Sequence, residues 1–117
     1  MSDCIFCKIV RKEIPAKIIY EDQHCLAFHD INPAAPVHFL IIPKLHIASL
    51  YEVDDTHQLI LGKMLGLVPK LARQEGCEHG FRTIINTGKV GGQEVFHLHI
   101  HVIGSKNVLP AMIHRSQ

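Results

Sequence analysis

The segment Phe96-His97-Leu98-His99-Ile100-His101-Val102-Ile103 alternates apolar and imidazole side chains without a break. This alternation predicts a β-strand, which we place from Val95 through Ile103. Because successive side chains of a strand point to opposite faces, His97, His99 and His101 are expected on one face, about 6.6 Å apart. Each imidazole has two ring nitrogens that need partners, so this is a poor core face. It suits a site for an anion or a metal, and the alternative is a solvated face with chance histidines. The opposite face is expected to carry Phe96, Leu98, Ile100 and Val102.

A glycine-rich loop, residues 86–93, leads directly into this strand. Its Gly91-Gly92 pair can bring backbone N–H groups close to a phosphate, because no side chain stands in the way. Two chemistries can use a row of histidines behind such a loop. In one, a neutral imidazole attacks phosphorus or carbonyl carbon, since its pKa of about 6.5 leaves it unprotonated at neutral pH. In the other, alternate histidines hold a zinc ion with one position open for water. The loop favours the first chemistry.

The first half of the chain predicts a short helix followed by strands. The helix is expected from Asp3, its cap, to about Arg11, and Pro15 ends it because proline cannot donate the next hydrogen bond. Patterns typical of strands occupy residues 17–20, 25–29 and 38–42, and another follows at residues 81–86.

A long helix lies between the third and fourth of these strands. Asp54 or Asp55 is expected to cap it, and Gly76 suits the position just after its end. Pro69, inside it, predicts a kink or a broken ladder near Leu65. The order of the elements shows no regular strand–helix alternation, so we predict an α+β fold with one five-stranded antiparallel sheet and two helices. The apolar stripe of the long helix is predicted to comprise Leu59, Ile60, Met64, Leu67, Val68, Leu71 and Ala72.

The composition is that of a single domain, residues 1–117, with 47% hydrophobic and 20% charged residues. Twelve basic residues against eleven acidic ones leave a net charge of +1, which argues against nucleic acid or a membrane surface as a partner. No segment approaches the ~18 apolar residues of a transmembrane helix, and the N-terminus lacks the pattern of a signal peptide. We therefore expect a cytoplasmic protein.

The histidine segment resembles the histidine triad signature, His-φ-His-φ-His-φ-φ, of the HIT superfamily of nucleotide hydrolases and transferases. The resemblance covers nearly the whole chain and is strongest to the Hint branch, which consists of small dimeric purine nucleoside phosphoramidases. It implies a homodimer in which two five-stranded sheets join into a continuous ten-stranded sheet. The other similar motifs are Ile5-Phe6-Cys7-Lys8-Ile9-Val10, Glu13-Ile14-Pro15-Ala16-Lys17, Ala27-Phe28-His29-Asp30-Ile31-Asn32-Pro33, His38-Phe39-Leu40-Ile41-Ile42-Pro43-Lys44 and Gly91-Gly92-Gln93-Glu94-Val95.

The resemblance also implies roles for the three triad histidines and for His38. His99 would attack the α-phosphorus of an adenosine 5′-phosphoramidate, and water would hydrolyse the nucleotidyl-histidine to AMP. His101 would bind or protonate the phosphoryl group, and His38 and His97 would complete the cluster. Asp30 would accept both ribose hydroxyls. The implied ligand is a purine nucleotide (AMP, GMP or a phosphoramidate), and the chemistry requires no cofactor.

The other nucleotide contacts that the resemblance implies come from the glycine loop and from apolar residues. The backbone amides of Glu94 and Val95, with Asn86, would hold the phosphate, and Gly92 and Gln93 belong to the same loop. Glu94 departs from the animal members, in which a serine is expected, and it puts a carboxylate beside the phosphate unless its side chain points away. The apolar slot for the purine would comprise Ile5, Phe6, Ile9, Phe28, Ile31 and Leu40, any one of which could equally be a core residue.

Cysteine usage raises the question of a structural metal. Four cysteines in a chain without an export signal argue against a disulfide framework, and Cys25 reads as a buried apolar residue. Cys4-x-x-Cys7 alone is a weak metal motif, because it needs two more ligands. Some bacterial HIT proteins resemble this chain in having a Cys-x-x-Cys, a Pro-Lys-x-His and the first triad histidine as a structural zinc site. That resemblance implies Cys4, Cys7, His46 and His97 as ligands, and the alternative is two reduced thiols beside an ordinary loop histidine.

Three other functions compete with a phosphoramidase. The first is a dinucleoside polyphosphate hydrolase of the same superfamily. The second is a module that binds nucleotides for sensing or interaction without catalysis. The third is a hydrolase that uses zinc at the histidine triad itself.

Overall fold

The chain folds into one antiparallel sheet with a helix against each face. The structure, a computed structural model, describes residues 4–113. The five strands lie in the order β1-β2-β3-β5-β4, and every neighbouring pair is antiparallel. The predicted α+β class, with five strands and two helices, is therefore confirmed. The elements are α1 (Ile5–Val10), β1 (Ile18–Glu21), β2 (Cys25–His29), β3 (Val37–Pro43), α2 (Gln58–Gln74), β4 (Arg82–Ile84) and β5 (Ile100–Gly104).

The two faces of the sheet bury different sets of side chains because β2, β3 and β5 alternate strictly. On one face Ala27, Phe39, Ile41 and neighbouring residues pack against α2 to form the larger core. Cys25 belongs to this core and is fully buried, as expected. On the other face a smaller cluster packs beneath α1, and this face carries the histidines. That cluster comprises Phe6, Ile9, Leu26, Phe28, Leu40 and Ile42.

The start of α2 differs from the prediction in one respect. Asp54 caps a single 3-10 turn, Asp55–His57, which leads directly into the helix, and its carboxylate accepts from the N–H of Thr56. Leu59 is wrong as a member of the buried stripe, because its side chain is 71% exposed. At 100° per residue, it lies about 140° around the helix from Met64, which is fully buried.

The end of α2 follows the sequence closely. Gly76 has a φ of +90°, and its N–H and that of Cys77 donate to the carbonyls of Arg73 and Ala72, closing a Schellman motif. Pro69 does not end the helix, which continues to Gln74. Both Pro69 and Leu65 are exposed, so water can reach the carbonyl that loses its donor.

The short helix α1 begins one residue after the described range does. Its predicted cap, Asp3, lies outside the described residues. Cys4 occupies the N-cap position, and its sulfur accepts from the N–H of Cys7 at 3.4 Å. Within residues 4–113, no helix is both long and apolar enough to cross a lipid bilayer.

The last two strands are shorter than predicted. The strand placed at residues 95–103 begins only at Ile100, and the one placed at residues 81–86 covers Arg82–Ile84. The backbone before Ile100 forms a hydrogen bond outside the sheet, since the N–H of Leu98 donates to the carbonyl of Ile47 at 2.7 Å. Phe96 consequently lies outside the alternation and is 50% exposed instead of packing in the core.

Candidate active site

The three triad histidines lie on the α1 side of the sheet although only His101 belongs to a strand. Leu98, Ile100 and Val102 all enter the opposite core, so the predicted alternation holds from residue 97 onward. His97 and His99 are buried, at 0% and 6% exposure. The centroids of the His99 and His101 rings are 4.9 Å apart, and the Phe6 ring lies nearly perpendicular to that of His99, with 5.1 Å between centroids.

His99 is held in one tautomer by a backbone carbonyl. Its Nδ1 lies 2.6 Å from the carbonyl oxygen of His97. A carbonyl can only accept, so Nδ1 carries the proton and donates, which leaves the lone pair on Nε2. Burial lowers the pKa of His99, so this lone pair is available at neutral pH. The arrangement is that of an imidazole nucleophile.

His38 and His101 form a directed chain of hydrogen bonds. The backbone N–H of Ala34 donates to Nδ1 of His38 at 2.9 Å, so the proton of a neutral His38 sits on Nε2. That N–H donates to Nδ1 of His101 at 3.0 Å, which leaves His101 with its own N–H at Nε2. Burial lowers the pKa of His38 and that of His101, the latter to about 4. His101 therefore offers a neutral donor beside the His99 ring.

A cleft of about 650 Å³ opens beside these histidines. His99, His101, Asn86, Gly92 and Glu94 line its polar side. All six residues expected to form the purine slot line the rest of it, and four of them are also core residues. The other two, Ile5 and Ile31, are apolar side chains exposed at 49% and 88%, so a flat apolar ligand would remove surface from water there.

The glycine loop is shaped by residues that do not touch the cleft. A Cβ on Gly91 would lie 2.5 Å from the carbonyl oxygen of Thr87, so the turn has no space for a side chain there. Gln93, predicted to contact the nucleotide, instead has its side chain buried within the protein. Its amide donates to the carbonyls of Ala48 and Val95 and accepts from the N–H of Gly88. Gln93 therefore braces the loop and does not line the cleft.

Beyond Gln93, the backbone offers donors to a ligand. The N–H groups of Glu94 and Val95 donate to no group within residues 4–113, and the same is true of the Asn86 amide. All three residues line the cleft. Asp30 also lines it, with one carboxylate oxygen accepting from the N–H of Asn32 and the other 3.4 Å from Nε2 of His38.

Four further residues line the cleft without having been predicted as site residues: Ile14, Pro15, Ala16 and His29. The first three belong to a motif noted in the sequence, but their place at the site depends on how the chain leaves α1. His29 ends β2 immediately before Asp30. Among the described residues that line the cleft, none is Lys or Arg, and two, Asp30 and Glu94, are carboxylates.

The structure brings together the four residues expected to ligate a metal. Nδ1 of His97 lies 3.4 Å from Sγ of Cys4, 3.5 Å from Sγ of Cys7 and 3.2 Å from Nδ1 of His46. A tetrahedral zinc ion with Zn–N near 2.0 Å and Zn–S near 2.3 Å places its ligand atoms about 3.3 to 3.8 Å apart. Nε2 of His97 donates to the carbonyl of Pro43 at 2.8 Å, which leaves the lone pair on Nδ1, facing the cluster. The donor set and its spacing therefore fit zinc.

A second group, Asp30, His38 and His101, also has ligand-type atoms within 4.8 Å of one another. Here the tautomer opposes a metal, because Nδ1 of His38 already accepts from a backbone N–H and Nε2 must carry the proton. The lone pair needed for a metal at Nε2 is thus absent. This geometry favours a proton-ordered chain over zinc chemistry at the triad.

With this site and fold, the chain belongs to the HIT domain family, whose model matches residues 11–108. A purine nucleoside phosphoramidase from Escherichia coli is 45% identical over 115 residues, which is 97% of both chains. Protein HitA from Neisseria gonorrhoeae is 58% identical over 105 residues, 90% of this chain and 98% of its own. A HIT family hydrolase structure from Clostridium thermocellum superposes with a TM-score of 0.91 at 44% identity, covering 97% of this chain and 99% of the other.

The lowered pKa of His101 predicts a pH dependence of stability. Between about pH 6.5 and about pH 4 the unfolded chain binds a proton at this position that the folded chain does not, so stability falls as the pH falls. His101→Gln cannot titrate and is expected to lose less stability over this range. Urea unfolding at pH 7 and at about pH 4.5 measures the difference. Equal losses in the two proteins would contradict a neutral His101 in the folded protein.

Proposed function

We propose that the protein is a hydrolase that cleaves the P–N bond of purine nucleoside 5′-phosphoramidates through a covalent nucleotidyl-His99 intermediate. The observation that carries this proposal is the hydrogen bond from Nδ1 of His99 to the carbonyl of His97. This bond leaves Nε2 unprotonated and able to attack phosphorus. The Escherichia coli relative is a purine nucleoside phosphoramidase, which supports the same class of activity for this chain.

The reaction assigns a task to each group around the phosphate. Nε2 of His99 attacks phosphorus, and the P–N bond breaks as the leaving nitrogen takes a proton from water. The N–H of His101 and the backbone N–H groups of Glu94 and Val95 donate to phosphoryl oxygens, where negative charge accumulates. A second water then attacks phosphorus and gives its proton to the hydroxide left by the first, which breaks the P–Nε2 bond, releases the nucleoside monophosphate and regenerates neutral His99. Asp30 accepts the ribose hydroxyls, and the apolar slot takes the purine.

The charge of the cleft favours an amine conjugate over a dinucleoside polyphosphate. A polyphosphate chain carries several negative charges, but the described lining residues include no Lys or Arg to neutralise them. Two carboxylates line the same cleft, and like charges brought together raise the free energy of the complex. A monophosphate bonded to an amine avoids this penalty.

We expect His99→Ala to abolish turnover of an AMP–amine conjugate, with a loss of at least about 1,000-fold, because no other group can form the covalent bond. Intact-mass measurement of the wild-type protein, quenched during turnover, should show one AMP adduct that maps to His99. AMP binding, measured by calorimetry, should persist in the variant. An adduct on another residue would refute the mechanism, and full turnover by His99→Ala would favour another hydrolytic function. AMP binding without any turnover by the wild-type protein would favour the non-catalytic function.

Glu94 provides a test of the substrate class. We expect the wild-type protein to prefer an AMP–propylamine conjugate to diadenosine triphosphate, and Glu94→Lys to raise the relative kcat/KM for the triphosphate about 10-fold by replacing repulsion with attraction. Glu78→Lys makes the same charge change at an exposed position outside the cleft and serves as the control. A wild-type preference for the triphosphate, or equal shifts in both variants, would contradict the proposal.

We also propose that Cys4, Cys7, His46 and His97 hold one structural zinc ion. Bound there, zinc would tie α1 to the loop after β3 and would supply folding energy, while the phosphoryl chemistry takes place at His99. Elemental analysis of the purified protein is expected to give about one zinc per chain, and Cys7→Ser to give much less. Cys77→Ser, at a buried cysteine outside the cluster, should keep the wild-type content. Equal zinc in both variants would rule out this ligand set.

A homodimer is the remaining part of the proposal. β4 is a terminal strand of the sheet, and pairing two copies along it would give the ten-stranded sheet expected from the resemblance. One face of α2 exposes Leu59 and Leu65 around Gly62 and Gly66, which leaves room for close packing of a second helix. This apolar, small-residue face is otherwise costly to leave in water.

Sedimentation equilibrium should therefore give twice the 13.2 kDa mass of one chain. Gly66→Arg is expected to yield monomers, because a long charged side chain would fill the contact between the two helices. Glu78→Arg, at an exposed position beyond the end of α2, should remain dimeric. A monomeric wild-type protein would dismiss the pairing.

A further inference from the structure

We infer that Cys4, Cys7 and His46 are positioning residues for His99, because they clamp the one residue whose carbonyl fixes its tautomer. The inference rests on the proposed function and adds to it a specific path from the metal-type cluster to the nucleophile. The cluster contacts the ring of His97, and the carbonyl of His97 accepts from Nδ1 of His99. This bond in turn leaves Nε2 of His99 unprotonated.

The path matters because the nucleophile lies in backbone that no strand supports. Residues 93–99 precede β5 and make no ladder hydrogen bonds. Hydrogen bonds from three of its residues to backbone carbonyls tie this segment to residues 43–48. They are His97 Nε2 to the carbonyl of Pro43, Leu98 N–H to the carbonyl of Ile47, and the Gln93 amide to the carbonyl of Ala48. The position of His99 thus depends on the loop that carries His46.

The ring of His97 is held at both nitrogens. Nε2 is bound to Pro43, and Nδ1 lies 3.2 to 3.5 Å from one imidazole and two sulfur atoms. The residue is completely buried, so the ring has no space to turn. Because the ring of His97 cannot move, the backbone of that residue is also held in place. Its carbonyl oxygen is the acceptor 2.6 Å from Nδ1 of His99.

Removing a cluster residue should therefore act on orientation more than on nucleotide affinity. His46 lines none of the cleft, so its loss removes no contact with a nucleotide. With the clamp released, the His97 carbonyl can rotate away and the proton of His99 can move to Nε2, which blocks attack. Partners of this kind, one step removed from the reacting group, typically contribute 10- to 100-fold.

The test uses the full chain with His46→Ala, and with His79→Ala as the control at an exposed histidine outside the cluster. We expect His46→Ala to lower kcat for an AMP–amine conjugate by about 10- to 100-fold, with the Kd for AMP changed less than about threefold. In ¹⁵N-labelled protein, the wild-type His99 should give a slowly exchanging Nδ1–H signal that is lost in His46→Ala and retained in His79→Ala.

A conservative variant keeps the test decisive if His46→Ala unfolds. His46→Asn places an amide atom near the position of the lost Nδ1 and is expected to recover part of both kcat and the His99 signal. An unchanged kcat in a folded His46→Ala protein, or a lowered kcat with the His99 Nδ1–H signal intact, would overturn the inference. The His99 Nδ1–H signal does not depend on turnover. Failure of the proposed function would instead appear as full activity of His99→Ala, so the two failures can be told apart.

Discussion

The hydrogen bond between Nδ1 of His99 and the carbonyl of His97 is the interaction on which the site depends. It is short, at 2.6 Å, and it joins residues two apart in the chain. Because the acceptor is a backbone carbonyl, it assigns the proton without reference to any titrating neighbour. The proposed attack on phosphorus requires that Nε2 of this ring be unprotonated.

Burial of the imidazoles costs free energy, and it also keeps the rings neutral. Taking a ring out of water disfavours its charged form, and burial lowers the pKa of His97 and that of His101 to about 4. The cost is limited because each ring is hydrogen-bonded, and no buried side-chain polar atom among the described residues lacks a partner. The result is a set of neutral imidazoles whose tautomers are set by backbone groups at His38, His97 and His99 and, through His38, at His101.

Backbone contacts also make the two groups of potential metal ligands chemically different. His97 donates from Nε2 to a carbonyl and therefore presents a lone pair at Nδ1 to two thiols and a second imidazole. His38 accepts at Nδ1 from an N–H and therefore presents a proton at Nε2. Residue type alone treats these histidines as equivalent, and the difference lies in which backbone group reaches each ring.

The fold was predictable where local pattern and tertiary packing agree. β2 and β3 match their predicted positions within a residue, and α2 ends as Gly76 predicts. Prediction failed where a distant segment competes for the backbone. The strand expected from Val95 starts at Ile100 because residues 93–98 bond to the loop after β3, and Phe96 is exposed for the same reason. Leu59 failed for a simpler reason, since helical geometry alone places it on the outer face.

In the site, too, some features follow from the sequence and others only from the tertiary structure. The sequence by itself determined which side chains share a face, because alternation at residues 97–102 is a property of extended chain whether or not a ladder forms. It also supplied the family and most of the residues that line the cleft. Only the tertiary structure decided which nitrogen of each histidine carries the proton, that Gln93 faces inward, and that Cys4, Cys7 and His46 surround His97. Those outcomes depend on contacts between segments up to 93 residues apart, which no local pattern contains.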